Sequence, residues 1–97
     1  LLDVDHFKSI NDQHGHPAGD EVLRTIADRL RGLVEEPAFF GRLGGEEFVV
    51  VLPGAGADTA RLVGERLREA ILALDATRWF PDGRSITASV GVAAQRG

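Results

Sequence analysis

Residues 38–52, AFFGRLGGEEFVVVL, constrain the fold more than any other stretch of the chain. Two apolar segments, 38–43 and 47–52, flank Gly44-Gly45, a spacing that predicts an antiparallel hairpin. The unbroken run from Phe48 to Leu52 predicts a central strand buried on both faces. Glycine at 44 and 45 permits positive φ and lets another group approach the backbone closely. Glu46 and Glu47 then put adjacent negative charges at a tight turn, beside residues that must be buried. Such crowding is unfavourable unless a cation or a shared proton relieves it.

The remaining periodicities supply partners for this hairpin. Leu1, Leu2 and Val4 read as the end of a buried strand, broken by polar residues from Asp5. Phe7 and Ile10 give one apolar face to a short segment that stops at Gly15. Pro17 and Asp20 open a longer helix in which Val22, Leu23, Ile26, Ala27, Leu30, Leu33 and Val34 recur at helical spacing, with Pro37 marking its end. Asp58 or Thr59 is placed to cap another helix, striped by Ala60, Val63, Leu67, Ala70, Ile71 and Leu74. Pro81-Asp82-Gly83 makes a turn, flanked by Trp79-Phe80 and the alternating strand Ile86, Ala88, Val90, Val92. The order strand, helix, helix, strand, strand, helix, turn, strand predicts an α+β fold, an α/β sandwich with helices packed on one sheet.

Bulk properties narrow the function. Ninety-seven residues support one small domain with one core. A net charge of −4 leaves no basic face for a nucleic-acid backbone. The absence of cysteine excludes disulfides and thiolate metal sites. No apolar run reaches membrane-spanning length, and no signal peptide is visible. The chain lacks methionine and opens inside an apolar run, so it is expected to be an excerpt of a longer protein, with targeting and partner domains outside it.

Asp3 follows two leucines near the end of a predicted central strand, where ligands of open sheets tend to sit. The hairpin tip brings Asp3, Asp5, Glu46 and Glu47 within plausible reach of one another. Magnesium suits such an all-oxygen set, with phosphate oxygens and water completing an octahedron. The plainer alternatives are a solvated hairpin tip, and an Asp3 that starts a turn or caps the next helix. Other chemistries fail on their spacing. An EF-hand would need a ligand and a glycine where Phe7 and Lys8 stand. No phosphate-binding Gly-Lys-Ser/Thr loop and no serine or cysteine elbow occurs. His6, His14 and His16 are not clustered as zinc requires.

Asp3-Val-Asp-His-Phe-Lys-Ser-Ile-Asn-Asp12, Gly15-His-Pro-Ala-Gly-Asp20 and Arg42-Leu-Gly-Gly-Glu-Glu-Phe48, in this order, closely resemble the GGDEF family of diguanylate cyclases. The signature here is the GGEEF variant, and TASVGVA at 87–93 is similar to the family's closing strand. The resemblance spans almost the whole chain, residues 1–97 being read as one GGDEF domain. It implies a fold like the palm of polymerases and nucleotide cyclases, and an enzyme that joins two GTP into cyclic di-GMP with release of pyrophosphate. It implies two magnesium ions per site, with manganese as a substitute, held by Asp3, the Val4 carbonyl, Glu46 and Glu47. Glu46 would be the base at the 3′-hydroxyl, with Glu47 close to the metals. The Gly44-Gly45 backbone would lie against the nucleotide, and the Phe7 and Lys8 amides against its phosphates. Asn11 and Asp20 would read guanine, with His16 a weaker base contact; Asp20 could instead cap the long helix. The resemblance further implies a homodimer, each copy holding one GTP, in a cytoplasmic catalytic domain whose parent can carry a sensory domain or a membrane tether.

Two departures from the family pattern stand out. Its inhibitory Arg-x-x-Asp positions are occupied by Glu35 and Ala38, and a glutamate would repel a product phosphate that arginine would pair. Product inhibition through that site is therefore expected to be absent. The family's upstream Leu-Thr-Gly-Leu-x-Asn-Arg-Arg segment and its downstream lysine and arginine segment are missing, so the excerpt alone is expected to bind GTP weakly and to be poor in catalysis. The competing function is a non-catalytic GTP-binding module that regulates an attached domain.

Overall fold

The computed structural model describes residues 1–94. Its elements are β1 (Leu2–Val4), α1 (Phe7–His14), α2 (His16–Leu33), β2 (Phe39–Gly44), β3 (Glu47–Val51), α3 (Ala57–Leu72) and β4 (Ala88–Val90), in the predicted order. The strands form one antiparallel sheet in the order β2-β3-β1-β4. The hairpin forms as expected, but β2 carries an irregularity between Arg42 and Gly44 that leaves Leu43 unopposed.

Alternation along the strands separates two faces. Leu2, Val4, Phe48 and Ala88 point into the core, where they meet Ile10 of α1, Val22, Leu23, Ile26 and Leu30 of α2, and Leu67 and Ile71 of α3. The intervening positions Asp3, Glu47, Val49 and Ser89 stay partly or fully exposed, as do Phe39 and Val51, which pair across the hairpin. Here the expectation of a strand buried on both faces is corrected. Phe48 is 2% exposed, whereas Val51 is 37% exposed, because the described helices cover one side of the sheet only.

Several boundaries also differ. The long helix ends at Leu33 rather than near Pro37, with Val34 already extended at its C-cap. Gly15, not Asp20, is its N-cap; Gly56, not Asp58 or Thr59, caps α3. The last strand is confined to Ala88–Val90 because β1 presents only three residues to pair with it. Backbone bonds between Leu1 and Gly91 continue the contact beyond the ladder. Trp79, Phe80, Ala76 and Ile86, from the irregular segment between α3 and β4, complete the core. Short irregular sequence hid that contribution, since it has no period to read.

Candidate active site

The site begins with strand register. β1 and β3 pair Leu2 with Phe48 and Asp3 with Glu47, and the Val4 amide donates to the Glu46 carbonyl at 3.1 Å. Val4 and Glu46 therefore face each other at the end of the ladder, with no return bond from the Glu46 amide among the described residues. Asp3 and Glu47 form the neighbouring pair without mutual backbone bonds, the narrower kind, at about 4.5 Å between Cα atoms. Both lie on the sheet face that the helices leave uncovered. Glu46 is in the turn itself, one residue before β3.

The turn depends on its glycines for conformation and not for packing. Gly44 and Gly45 have φ of 153° and 51°, and a Cβ on either would meet nothing within 4 Å. Only glycine takes both angles cheaply. The Arg42 Nε donates to the Gly45 carbonyl at 2.9 Å, closing the turn from its own strand. That clasp was not assigned from sequence, although an arginine three residues before the carbonyl it binds is a readable signal.

Among the described residues no lysine or arginine forms an ion pair with Asp3, Glu46 or Glu47; the ion pairs there all engage other acids. Directly opposed like charges destabilise a ladder. The described residues thus hold a carboxylate pair with no paired lysine or arginine. Asp5 is drawn away from this pair: Ser89 Oγ donates to its Oδ1 at 2.7 Å, tying it to β4. Among the described residues no group of three or more His, Asp or Glu side chains converges as a ready-made metal cage. Asp3, the Val4 carbonyl, Glu46 and Glu47 are nevertheless all oxygen donors on two adjacent pairs of one ladder, which is a fit for an oxygen-seeking cation.

Next to β1, His6 adopts the left-handed conformation (φ 57°, ψ 27°) and turns the chain abruptly into α1. The first intrahelical bond runs from the Ile10 amide to the His6 carbonyl at 3.2 Å. The amides of Phe7, Lys8 and Ser9 precede it, and His6 makes no side-chain cap bond to them. Such amides are the donors that bind anions at helix starts.

The packing of α1 on α2 sets the Asn11 side chain against Gly19, the residue before Asp20. Gly19 is buried against the Asn11 side chain, so Asp20 follows directly on that contact. Asp20 makes no cap bond, which removes the helix-capping explanation for it. It lines two open grooves. One runs past His14, Pro17 and Trp79; the other passes Leu23, Arg24, Phe40, Arg42 and Phe48 and links α2 to the signature hairpin. His16 is the exposed first residue of α2. Asn11 Oδ1 is buried without a hydrogen-bond partner, an exception that calls for a cause in a folded protein.

A four-stranded antiparallel sheet backed by helices, with acids at the strand end beside a glycine turn, defines the palm-like α+β class. The chain belongs to the GGDEF family: the model described as diguanylate cyclase, GGDEF domain, matches residues 1–97. It is 47% identical over 97 residues to diguanylate cyclase DgcP of Pseudomonas aeruginosa, covering all of this chain and 14% of that protein. Diguanylate cyclase VdcA of Vibrio cholerae is 42% identical over 94 residues, 95% of this chain and 28% of its own length. Two solved structures are similar in both sequence and fold. The active GGEEF domain of a diguanylate cyclase from Vibrio cholerae superposes with a TM-score of 0.77 at 37% identity, over 90% of this chain and 54% of that one. The GGDEF domain of DgcB from Caulobacter crescentus, in complex with c-di-GMP, gives 0.80 at 34% identity, over 91% and 53%. The chain thus spans a minor part of these curated relatives and about half of these solved chains. Among the described residues no helix is long and apolar enough to cross a membrane.

Proposed function

We propose that this domain is the catalytic part of a diguanylate cyclase, and that two copies facing across a two-fold axis condense two GTP into cyclic di-GMP. The observation that carries this reading is the pairing of Asp3 with Glu47, beside Val4 and Glu46, with no ion pair to these acids among the described residues. GTP is itself polyanionic, so carboxylates at its site require positive charge between them and the phosphates. Asp3, the Val4 carbonyl, Glu46 and Glu47 would hold two magnesium ions, or manganese in their place. When bound, these supply charge neutralisation at the triphosphate and activation of the attacking oxygen.

The protein groups perform the remaining work. Phe7 and Lys8 offer backbone amides to phosphate oxygens, and the uncovered Gly44-Gly45 backbone lets the nucleotide lie close. Asp20 accepts from guanine N1–H and the 2-amino group. Adenine has an acceptor at N1 and lacks the amino group, so the same carboxylate would reject it. Asn11 and, less closely, His16 complete the base contacts. Glu46 takes the proton from the 3′-hydroxyl of one GTP as that oxygen attacks the α-phosphate of the other. Each attack forms one phosphodiester bond and expels one pyrophosphate. Each copy presents one nucleotide, so turnover requires the dimer. Glu35 and Ala38 leave no arginine clamp for product at that position, and the reaction continues as cyclic di-GMP accumulates. The domain works in the cytoplasm, under control of segments outside these 97 residues.

The test is the full-length protein with GTP and magnesium, with cyclic di-GMP read by mass. Glu46→Gln is expected to lower product formation by about 10²–10³-fold. Unchanged product would refute the role of Glu46. GTP binding without product from a demonstrably dimeric protein would favour a regulatory GTP-binding module instead.

A further inference from the structure

We propose that Gly19 is a positioning residue for nucleotide selection: its missing side chain seats the Asn11 amide, oxygen inward, so that the nitrogen is presented to the purine. The inference rests on the reading of Asn11 and Asp20 as guanine contacts. Gly19 is buried in the first turns of α2, and a Cβ built there would stand 1.8 Å from Asn11 Oδ1, 2.9 Å from its Cγ and 3.0 Å from Phe7 Cζ. No side chain fits without moving the amide. Its backbone conformation is ordinary helix, so neither turn geometry nor positive φ accounts for glycine here. Glycine inside a helix costs roughly 1 kcal/mol relative to alanine. Close approach by Asn11 is the return on that cost.

The same contact explains the orphaned acceptor. Asn11 Oδ1 is buried with no donor, held against a glycine that offers it only C–H groups. With the oxygen committed inward, Nδ2 is the outward end and acts as a donor. Asp20, one residue beyond Gly19, is an acceptor. A donor and an acceptor side by side match a guanine edge, where O6 or N3 accepts next to the donating N1–H and 2-amino groups. Adenine has a donor in place of O6 and no 2-amino group. Phe7 touches the same glycine, so the phosphate-side end of α1 shares this anchor.

The experiment compares wild type, Gly19→Ala, Asn11→Ala and the double variant in the full-length protein. Steady-state turnover of GTP is measured alongside competition by ATP. Gly19→Ala is expected to raise KM for GTP about tenfold with kcat within about twofold, and to reduce the preference for GTP over ATP by a similar factor. In the Asn11→Ala background, where the clashing amide is gone and only the 3.0 Å approach to Phe7 Cζ remains, Gly19→Ala should change both quantities far less than in the wild type. Full GTP preference in Gly19→Ala would overturn the proposal, and so would an undiminished effect of Gly19→Ala in the absence of the Asn11 amide. A wild-type protein that neither binds nor turns over GTP would instead sink the cyclase reading on which this one rests.

Discussion

The two faces of the sheet are built from the same strands and do opposite work. Leu2 and Val4 are each 2% exposed, while Asp3 between them sits on the uncovered side. Phe48 is sealed under the helices, while Glu47 immediately before it lies beside Asp3. A residue buried in the core thus adjoins one of the proposed site, and the period of two in a strand keeps them on separate faces. The comparison shows why crowded acids are tolerable here. Their cost falls on a solvated face, and the buried face beneath them holds the ladder in register.

Breaking the covered face should have the largest consequence. Phe48→Ala is expected to destabilise the domain by about 3–5 kcal/mol in denaturant unfolding, because it empties a fully buried site of the core. Asp3→Asn changes the uncovered face instead. It should cut cyclic di-GMP formation by the full-length protein about 100-fold or more. In magnesium-free buffer it should leave stability unchanged or raise it by up to about 1 kcal/mol, since a like-charge pair is relieved. A clear loss of stability would mean that the Asp3 carboxylate has a structural partner and would blur the contrast between faces.

Smaller effects sharpen it. Ser89→Ala removes the 2.7 Å bond to Asp5 and should cost about 0.5–1 kcal/mol. Product formation should fall less than for Asp3→Asn, because Asp5 is placed outside the acidic pair. The weakest expected effect lies far from the site. The Thr77 hydroxyl, seconded by the Thr77 amide, holds the Asp75 carboxyl below its ordinary value of 3.8. A depressed folded-state value means that the contribution is present above the unfolded pKa and is lost as pH falls through the folded one. Asp75→Asn should therefore lower stability slightly at neutral pH and flatten the acid limb, the two profiles converging at low pH in thermal scans; an unaltered profile would show the bond to be inert.

Local chemistry made much of the molecule legible in advance. Gly44-Gly45 announced the hairpin, and the spacing from Val22 to Leu30 announced α2. The ordered motifs named the family that the chain belongs to. Helix ends were less legible: Gly15 and Gly56 cap α2 and α3 where Asp20, Asp58 or Thr59 were expected, because a good capping side chain is worth little when the chain turns into the helix before reaching it. The run after Glu47 looked buried on both sides, since an apolar side chain carries no record of which face will receive helices.

Residue order alone decided which side chains share a strand face and which segments become helices, because those properties repeat at short range. Packing between distant segments decided the rest. It set Asp3 against Glu47 by register, drew Asp5 toward Ser89, and brought Gly19 of one helix onto Asn11 of another. Such contacts depend on how far two elements approach in space, and no local period encodes that distance.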